Sequence, residues 1–362
     1  MVLLSICIPT RNRPAVIKKT LDFIIAQIHK LGLENEIEII VADNTDAVSE
    51  KINPESIKYP LLRYFNNKGN IGYYGSINKM TKSATGTYAW YLSDDDILAD
   101  DAIAEIISAL KDTSREINYL TFLSGGMVRG EITDEDIYFK GLDCDYFSDG
   151  LLFMQRYFES VIFISTNIFH VKKLNAHADK YNLFNNYSSA YQNSLLCLSF
   201  IGLHGNVRII RKTILYDNLQ AKTYTEETAI TVPVLGYIEA LHKLEAFGFK
   251  PHAYEAYRKS VRDHVLHCGL TFSIGRIETP QRFDYRPGYR SIMCDSKLEI
   301  RTRLYALFVY VLLHLPKMAA KVCIRTVFTF KSPHFTYSRW AARIKESHDS
   351  LCAMKNRIDS TY

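Results

Sequence analysis

No apolar run in this 362-residue chain reaches the roughly 20 residues that a membrane-spanning helix needs; the longest, Leu304 to Leu313, is about half that length. Polytopic membrane proteins are thereby excluded. Glycine and proline are sparse, at 17 and 10 residues, which excludes collagen-like and linker-rich chains. Neither sign of charge dominates, with 44 Lys and Arg against 39 Asp and Glu, and 47% of the residues are apolar, so a disordered chain is excluded too. The seven cysteines (Cys7, Cys144, Cys197, Cys268, Cys294, Cys323 and Cys352) are scattered, odd in number and without a C-x-x-C pair, so no disulfide framework is expected. Absent as well are a G-x-G-x-x-G after the first apolar segment, a G-x-x-x-x-G-K-[ST] and a G-x-S-x-G, which removes the usual support for dinucleotide, P-loop and serine-hydrolase readings. Met1 to Pro9 has no basic leader and no long apolar core, and reads as a strand rather than a signal peptide.

What the first third does contain is alternation. Val2 to Ile8 is a short apolar strand that Pro9 is expected to stop, and Pro14 suits the first turn of a helix. That helix carries Ile17, Leu21, Ile24, Ile25, Ile28 and Leu31 at the spacing of one buried face. Ile37 to Val41, Leu61 to Phe65, Tyr88 to Leu92 and Tyr119 to Leu123 read as further strands. Helices are expected from Gly75 to Ser83 and from an N-cap at Asp100, the latter burying Ile103, Ile106, Ile107 and Leu110. Strands alternating with helical stripes predict an α/β fold with a doubly wound, mostly parallel sheet. Ligands of such sheets bind beyond the carboxyl ends of the strands, where Thr10-Arg11-Asn12, Asp43 and Asp94 to Asp96 all fall.

The second half is less regular. Glu131 to Asp149 is strongly acidic and reads as a solvated loop or lid; Val161 to Phe169 and Val207 to Tyr216 read as strands, and 233–247 and 251–270 as helices. From Lys297 to Tyr362, twelve Lys and Arg face four Asp and Glu, whereas the net charge of the whole chain is only +5. A basic tail on a slightly acidic body favours an anionic surface. The segment 297–331 combines that charge with the apolar run, the pattern of an interfacial membrane anchor, although a run apolar on every side also suits a buried helix.

The strongest chemical signal is Tyr91-Leu92-Ser93-Asp94-Asp95-Asp96. Three successive carboxylates at a strand end repel one another unless a cation or hydrogen-bond donors compensate, and Mg²⁺ or Mn²⁺ takes one or two such carboxylates together with substrate phosphates. The alternative is an acidic turn that caps the next helix. Asp43 can accept from a base N–H or a ribose hydroxyl, or serve only an Asx-turn. Asn70-Ile71-Gly72, followed by Gly75 and Asn78, offers backbone amides ahead of a helix, a possible anion site or an ordinary glycine loop. His264, His267 and Cys268 share one stretch of helix but lack metal-site spacing, so ordinary helix residues are expected there.

In order and spacing, Ser5-Ile6-Cys7-Ile8-Pro9-Thr10-Arg11-Asn12-Arg13, Val41-Ala42-Asp43-Asn44, Asn70-Ile71-Gly72 and Gly86-Thr87-Tyr88 leading to Leu92-Ser93-Asp94-Asp95-Asp96 resemble family 2 glycosyltransferases of the GT-A fold, especially those that assemble bacterial O-antigen or capsule glycans. The resemblance covers about the first 125 residues. A fainter similarity to abequosyltransferase-like members continues through Ile164 to Lys173. It implies a GT-A catalytic domain over 1–220, with the nucleotide sugar bound by 1–125 and the acceptor by 126–220, and a helical, basic C-terminal region over 221–362. It implies donor contacts at Pro9, Thr10, Arg11, Asp43, Asn70, Gly72, Asp94 and Asp95, and a Mn²⁺ or Mg²⁺ ion held by Asp96 and Asp94 in a DxD-like motif. The implied reaction moves a sugar from a nucleoside diphosphate to a hydroxyl of a glycan, lipid-linked in surface polysaccharide assembly, in the cytoplasm or on the inner face of the plasma membrane. No nucleic-acid partner is implied.

One departure from the family pattern concerns the base. Where inverting members place an acid, this chain reads Tyr187-Ser188-Ser189-Ala190-Tyr191-Gln192-Asn193; Asp179 and Asp217 are the nearest alternatives, and neither matches a motif. The catalytic base and the stereochemical outcome are therefore unassigned. Two rivals stand beside the transferase reading. A sugar-1-phosphate nucleotidyltransferase would want a glycine-rich loop after the first strand, which Thr10-Arg11-Asn12-Arg13-Pro14 does not supply; a donor-binding scaffold without a base would fit the missing acid.

Overall fold

The structure, a computed structural model, describes residues 1–46, 51–128, 131–133, 139, 141–157, 160–161, 163–185, 192–218, 235–250, 254–278 and 285–331. The stretch Tyr187 to Tyr191, Pro233, Pro251 and everything beyond Lys331 lie outside them. The chain divides into two compact units, one formed by Met1–Thr223 with Lys243–Tyr257 and the other by Tyr224–His242 with Arg258–Tyr362.

The first unit is built on one sheet. Its strands are β1 (Leu4–Thr10), β2 (Ile37–Asp43), β3 (Leu62–Asn66), β4 (Tyr88–Tyr91), β5 (Ile97–Leu98), β6 (Tyr119–Val128), β7 (Glu131–Thr133), β8 (Tyr146–Phe147), β9 (Ile168–His170) and β10 (Val207–Asn218). They lie in the order β3-β2-β1-β4-β9-β6-β10-β5, with β7 beside β6 and β8 beside β10. β1 pairs in parallel with β2 and β4, β2 with β3, and β6 with β10, while β9 runs antiparallel to both β4 and β6. The sheet is thus mostly parallel, as the alternating pattern predicts. β1 and β2 sit inside the sheet and are buried along nearly their whole length, which is why they read as continuous apolar runs.

Helices α1 (Pro14–Leu31), α2 (Gly72–Ser83) and α3 (Ala102–Lys111) connect the first strands, followed by α4 (Gly150–Tyr157), α5 (Val171–Lys180) and α6 (Gln192–His204). α1 buries Ile17, Leu21, Ile24 and Ile28, and α3 buries Ile103, Ile106, Ile107 and Leu110, in one core cluster with β1, β2 and β4. Gly32 ends α1 with φ +65°, a left-handed conformation that costs a glycine little, and its amide closes on His29 O at 3.1 Å.

Several local expectations are corrected. β1 does not stop at Ile8; it runs through Pro9 to Thr10, paired Pro9↔Ala42 and Thr10↔Asp43. Thr10 O accepts from Asn44 on the β2 side, so Pro9, one residue earlier, faces the β4 side, where pairing has already ended at Cys7↔Tyr91 and a missing N–H costs no ladder bond. Asp100 does not cap α3, which starts at Ala102 without a side-chain cap; Asp101, its boundary residue, pairs with Lys212 instead. Val161 to Phe169 is not one strand: a 3₁₀ turn at Ile164–Thr166 precedes the short β9. There Thr166 Oγ1 donates to Ser160 O at 2.8 Å and Asn167 Nδ2 to Phe163 O at 2.8 Å, local side-chain bonds that compete with a ladder. The acidic stretch from Glu131 to Asp149 is not simply a solvated loop, because it contributes β7 and β8 and buries Phe139 and Phe147.

The second unit is helical among the described residues. Helix Gly236–Ala246 begins in it, helix Glu255–Glu278 runs mostly within it, and Arg286–Cys294, Ile300–His314 and Lys317–Lys331 follow. Gly269 allows close approach: a Cβ there would lie 2.4 Å from Val309 Cγ2. Arg258 pairs with Glu299 at 2.9 Å, and Tyr289 Oη donates to Val265 O at 3.0 Å. No helix among the described residues is long and apolar enough to cross a membrane.

Candidate active site

The carboxyl ends of β1, β2 and β4 lie side by side, and their terminal residues are bonded to one another. Thr10, the last residue of β1, donates through Oγ1 to Asp94 Oδ2 at 2.6 Å, three residues past the end of β4. The main chain of Asn44, just beyond β2, donates to Thr10 O at 2.9 Å, and its side chain donates to Gly72 O at 3.2 Å. One hydrogen-bonded chain therefore runs from the start of α2 through the ends of β2 and β1 to the acidic triplet.

Arg13 brings a cation to the triplet. Its Nη1 lies 3.1 Å from Asp94 Oδ1 and 2.7 Å from Asp95 Oδ2, with its side chain only 21% exposed. Ser93 Oγ donates to Asp95 Oδ1 at 2.5 Å, and Thr20 Oγ1 of α1 donates to Asp94 O at 2.7 Å. Burial pushes the Asp94 carboxyl above its ordinary value, and the Thr10 hydroxyl and Arg13 guanidinium pull the other way. Asp96 is buried beside them, at 6% exposure.

Asp43 is buried at the end of β2. Its Oδ1 accepts from Thr45 N at 2.7 Å, an Asx-turn, and its Oδ2 accepts from the Tyr64 hydroxyl, whose pKa is raised by burial and by this carboxylate. The turn alternative and a held, oriented carboxylate are thus both realised in one side chain. Asn70 and Gly72 stand at the start of α2, where Gly72 N donates to Asn70 Oδ1 at 2.9 Å, so this amide is already engaged within the loop. Arg11 is exposed and pairs with Asp46 at 3.3 Å, away from the triplet.

Asp179 is exposed on the last turn of α5. Asp217 falls differently. β10 pairs antiparallel with β5 as Leu215↔Leu98 and Tyr216↔Ile97, so the backbone of Asp217 lies one step past the last pair, on the side of Asp96.

Sequence reasoning missed Arg13, Thr20 and Tyr64. For Arg13 a signal existed: of two arginines in Thr10-Arg11-Asn12-Arg13, only the second abuts α1, and Asn12 with φ +55° turns the chain between them. Asn12 Nδ2 and Arg11 both bond Asp46, so the first arginine is held outward. For Tyr64 and Thr20 the sequence carried no signal, because only strand and helix pairing brings them to Asp43 and Asp94.

A run of aspartates at the carboxyl edge of a mostly parallel sheet, beside a strand-end aspartate, marks this edge of the α/β fold as the candidate site. The chain matches the model of glycosyl transferase family 2 over residues 5–213, more than half its length, and it belongs to that family. It is 33% identical over 120 residues to abequosyltransferase RfbV of Salmonella typhimurium, a match that covers 32% of this chain and 34% of that one. The match thus spans about a third of the relative's own length. Among solved structures it is similar to S. aureus TarS, with a TM-score of 0.50 and 12% identity over 86% of this chain and 55% of that one, a likeness of fold. The GT-A-like architecture expected from the resemblance is therefore present.

Proposed function

We propose that the protein transfers a sugar from a nucleoside-diphosphate donor to a hydroxyl of a glycan. The observation that carries this reading is the Thr10–Asp94 bond, which fixes the end of β1 against the acidic triplet, with Asp43 at the end of the neighbouring strand. A nucleoside diphosphate has matching parts: a base and ribose for Asp43 and its neighbours, and an anionic diphosphate for the triplet. Family membership and the abequosyltransferase similarity support the same reading.

The donor set also fits a hard divalent cation. A diphosphate approaching a run of carboxylates is repelled unless a cation intervenes, and oxygen donors suit Mg²⁺ or Mn²⁺. Among the described residues no group of three or more His, Cys, Asp or Glu is placed to hold an ion alone, so phosphate oxygens would complete its shell. Asp96, with Asp94 behind it, would hold the ion, which would stabilise the charge developing on the departing diphosphate. Arg13 fixes Asp94 and Asp95, Thr10 orients Asp94, and Tyr64 orients Asp43. Asp217 is our candidate for taking the proton from the acceptor hydroxyl, because the β5–β10 register carries it towards Asp96. The acceptor we favour is a lipid-linked surface glycan, met at the cytoplasmic face of a membrane.

A turnover assay over a panel of nucleotide sugars with Mn²⁺ tests this. Release of free nucleoside diphosphate is expected. In a parallel arm that supplies nucleoside triphosphates and sugar 1-phosphates instead, release of pyrophosphate would make the protein a nucleotidyltransferase. Donor binding without turnover for any acceptor would make it a scaffold.

A further inference from the structure

Helix Ile300–His314 is not simply buried, because it carries two apolar faces. Thr302, Ala306, Val309, Leu312 and Leu313 are buried, whereas Ile300, Leu304, Leu307 and Val311 are exposed by 64, 52, 40 and 47%. At 3.6 residues per turn the exposed four fall within an arc of roughly 60°, and the buried five spread over a wider arc centred on the opposite side. On the next helix, Met318 and Val322 are also exposed, by 75 and 62%. Scattered exposed aliphatics need no explanation, but a row at i, i+4, i+7 and i+11 is a face.

The charges around this face have one sign. Arg301 and Arg303 flank it along the helix, Lys297 precedes it, and Lys317 and Lys321 follow. The one acid in that stretch, Glu299, is taken up by Arg258 at 2.9 Å and Arg262 at 3.8 Å. A second copy of the chain laid against the face would bring like charges together, whereas an anionic surface meets both the apolar row and its basic rim. Phe308 and Tyr310, half-buried on either side of the row, add the amphipathic rings that favour a lipid interface. No helix among the described residues is able to span, so the contact argued for this face is one of lying in the interface plane.

We infer that this face docks the protein onto an anionic lipid bilayer, with Ile300, Leu304, Leu307 and Val311 in the acyl boundary and the basic rim at the headgroups. The inference goes beyond sugar transfer and does not depend on it, since its readout is binding. Full-length protein is to be sedimented with phosphatidylglycerol vesicles and with phosphatidylcholine vesicles, in low and high salt. The expected result is binding to the anionic vesicles, weakened by salt, and a loss of at least about tenfold in partitioning for Leu304→Gln/Leu307→Gln. Both positions are exposed, so the double variant should melt as the parent does. Three results would overturn the inference: no binding to anionic vesicles, equal binding by the double variant, or lipid-free self-association that the double variant abolishes. The last would assign the face to a second copy of the chain.

Discussion

Replacing Arg13 with Met tests the physical basis of the site more directly than any change at the acids. Arg13 Nη1 lies 3.1 Å from Asp94 and 2.7 Å from Asp95, whose side chains are 7% and 13% exposed. Removing one partner of a buried ion pair costs about 3–5 kcal/mol, because the surviving charge is left uncompensated. Arg13 is partly solvated, so the expected loss is about 2–4 kcal/mol, a large share of a typical domain stability of about 5–15 kcal/mol. The loss should depend on pH. Burial already raises the Asp94 carboxyl, and without the guanidinium it rises further. Between the ordinary aspartate value and the raised folded value, the folded protein then binds more protons than the unfolded chain, so the variant loses stability as pH rises through that window. The deficit against wild type should be largest near neutral pH and shrink towards about pH 4. Urea unfolding followed by tryptophan fluorescence in a Trp340→Phe background, at both pH values, measures this, since Trp90 is buried in β4 beside the triplet. Arg11→Met is the control: its pair with Asp46 is exposed on both sides, and no resolvable change in stability is expected. A deficit below about 1 kcal/mol for Arg13→Met at neutral pH, or one that does not change with pH, would refute the reasoning.

Further outcomes are expected at the neighbouring residues. Asp96→Ala should abolish turnover and remove the Mn²⁺-dependent part of donor binding; near wild-type turnover in Mn²⁺ would end its assignment to the metal. Asp43→Ala should weaken nucleoside diphosphate affinity by about 1–3 kcal/mol in calorimetric titration, and Tyr64→Phe by less, because it frees the carboxylate without deleting it. Equal affinities in all three proteins would leave Asp43 with the Thr45 turn as its only role. Gly205→Ala should lose about 2–4 kcal/mol in thermal unfolding, since the residue has φ +54° and a Cβ there would sit 2.1 Å from Ser148 O.

Periodicity made the first third of the fold legible. Burial on both faces of β1 and β2 forces continuous apolar runs, and the helix stripes at Ile17 to Ile28 and Ile103 to Leu110 point at the sheet they cover. These are local consequences of a global core, so a sequence displays them. The ends of elements were less legible. That β1 passes through Pro9 depends on which side of that residue has a neighbour, and that the segment before β9 turns depends on the Thr166 and Asn167 side chains finding backbone acceptors. Composition also could not tell one face of Leu304 to Leu313 from the other, because a helix apolar on all sides looks the same whether half of it or all of it is covered.

The site divides along the same line. The residue types at the ends of β1, β2 and β4 were fixed by sequence: an acidic triplet, a lone aspartate and a short basic turn are visible wherever a strand stops. Which of two arginines meets the acids was decided by the tertiary structure, through the left-handed turn at Asn12 that carries Arg11 out to Asp46 and leaves Arg13 against Asp94 and Asp95. The same holds for Tyr64 on Asp43 and for Thr10 on Asp94. A carboxylate's charge is a property of its residue, but its partner is a property of strands 21 to 84 residues away in the chain, and only packing brings those together.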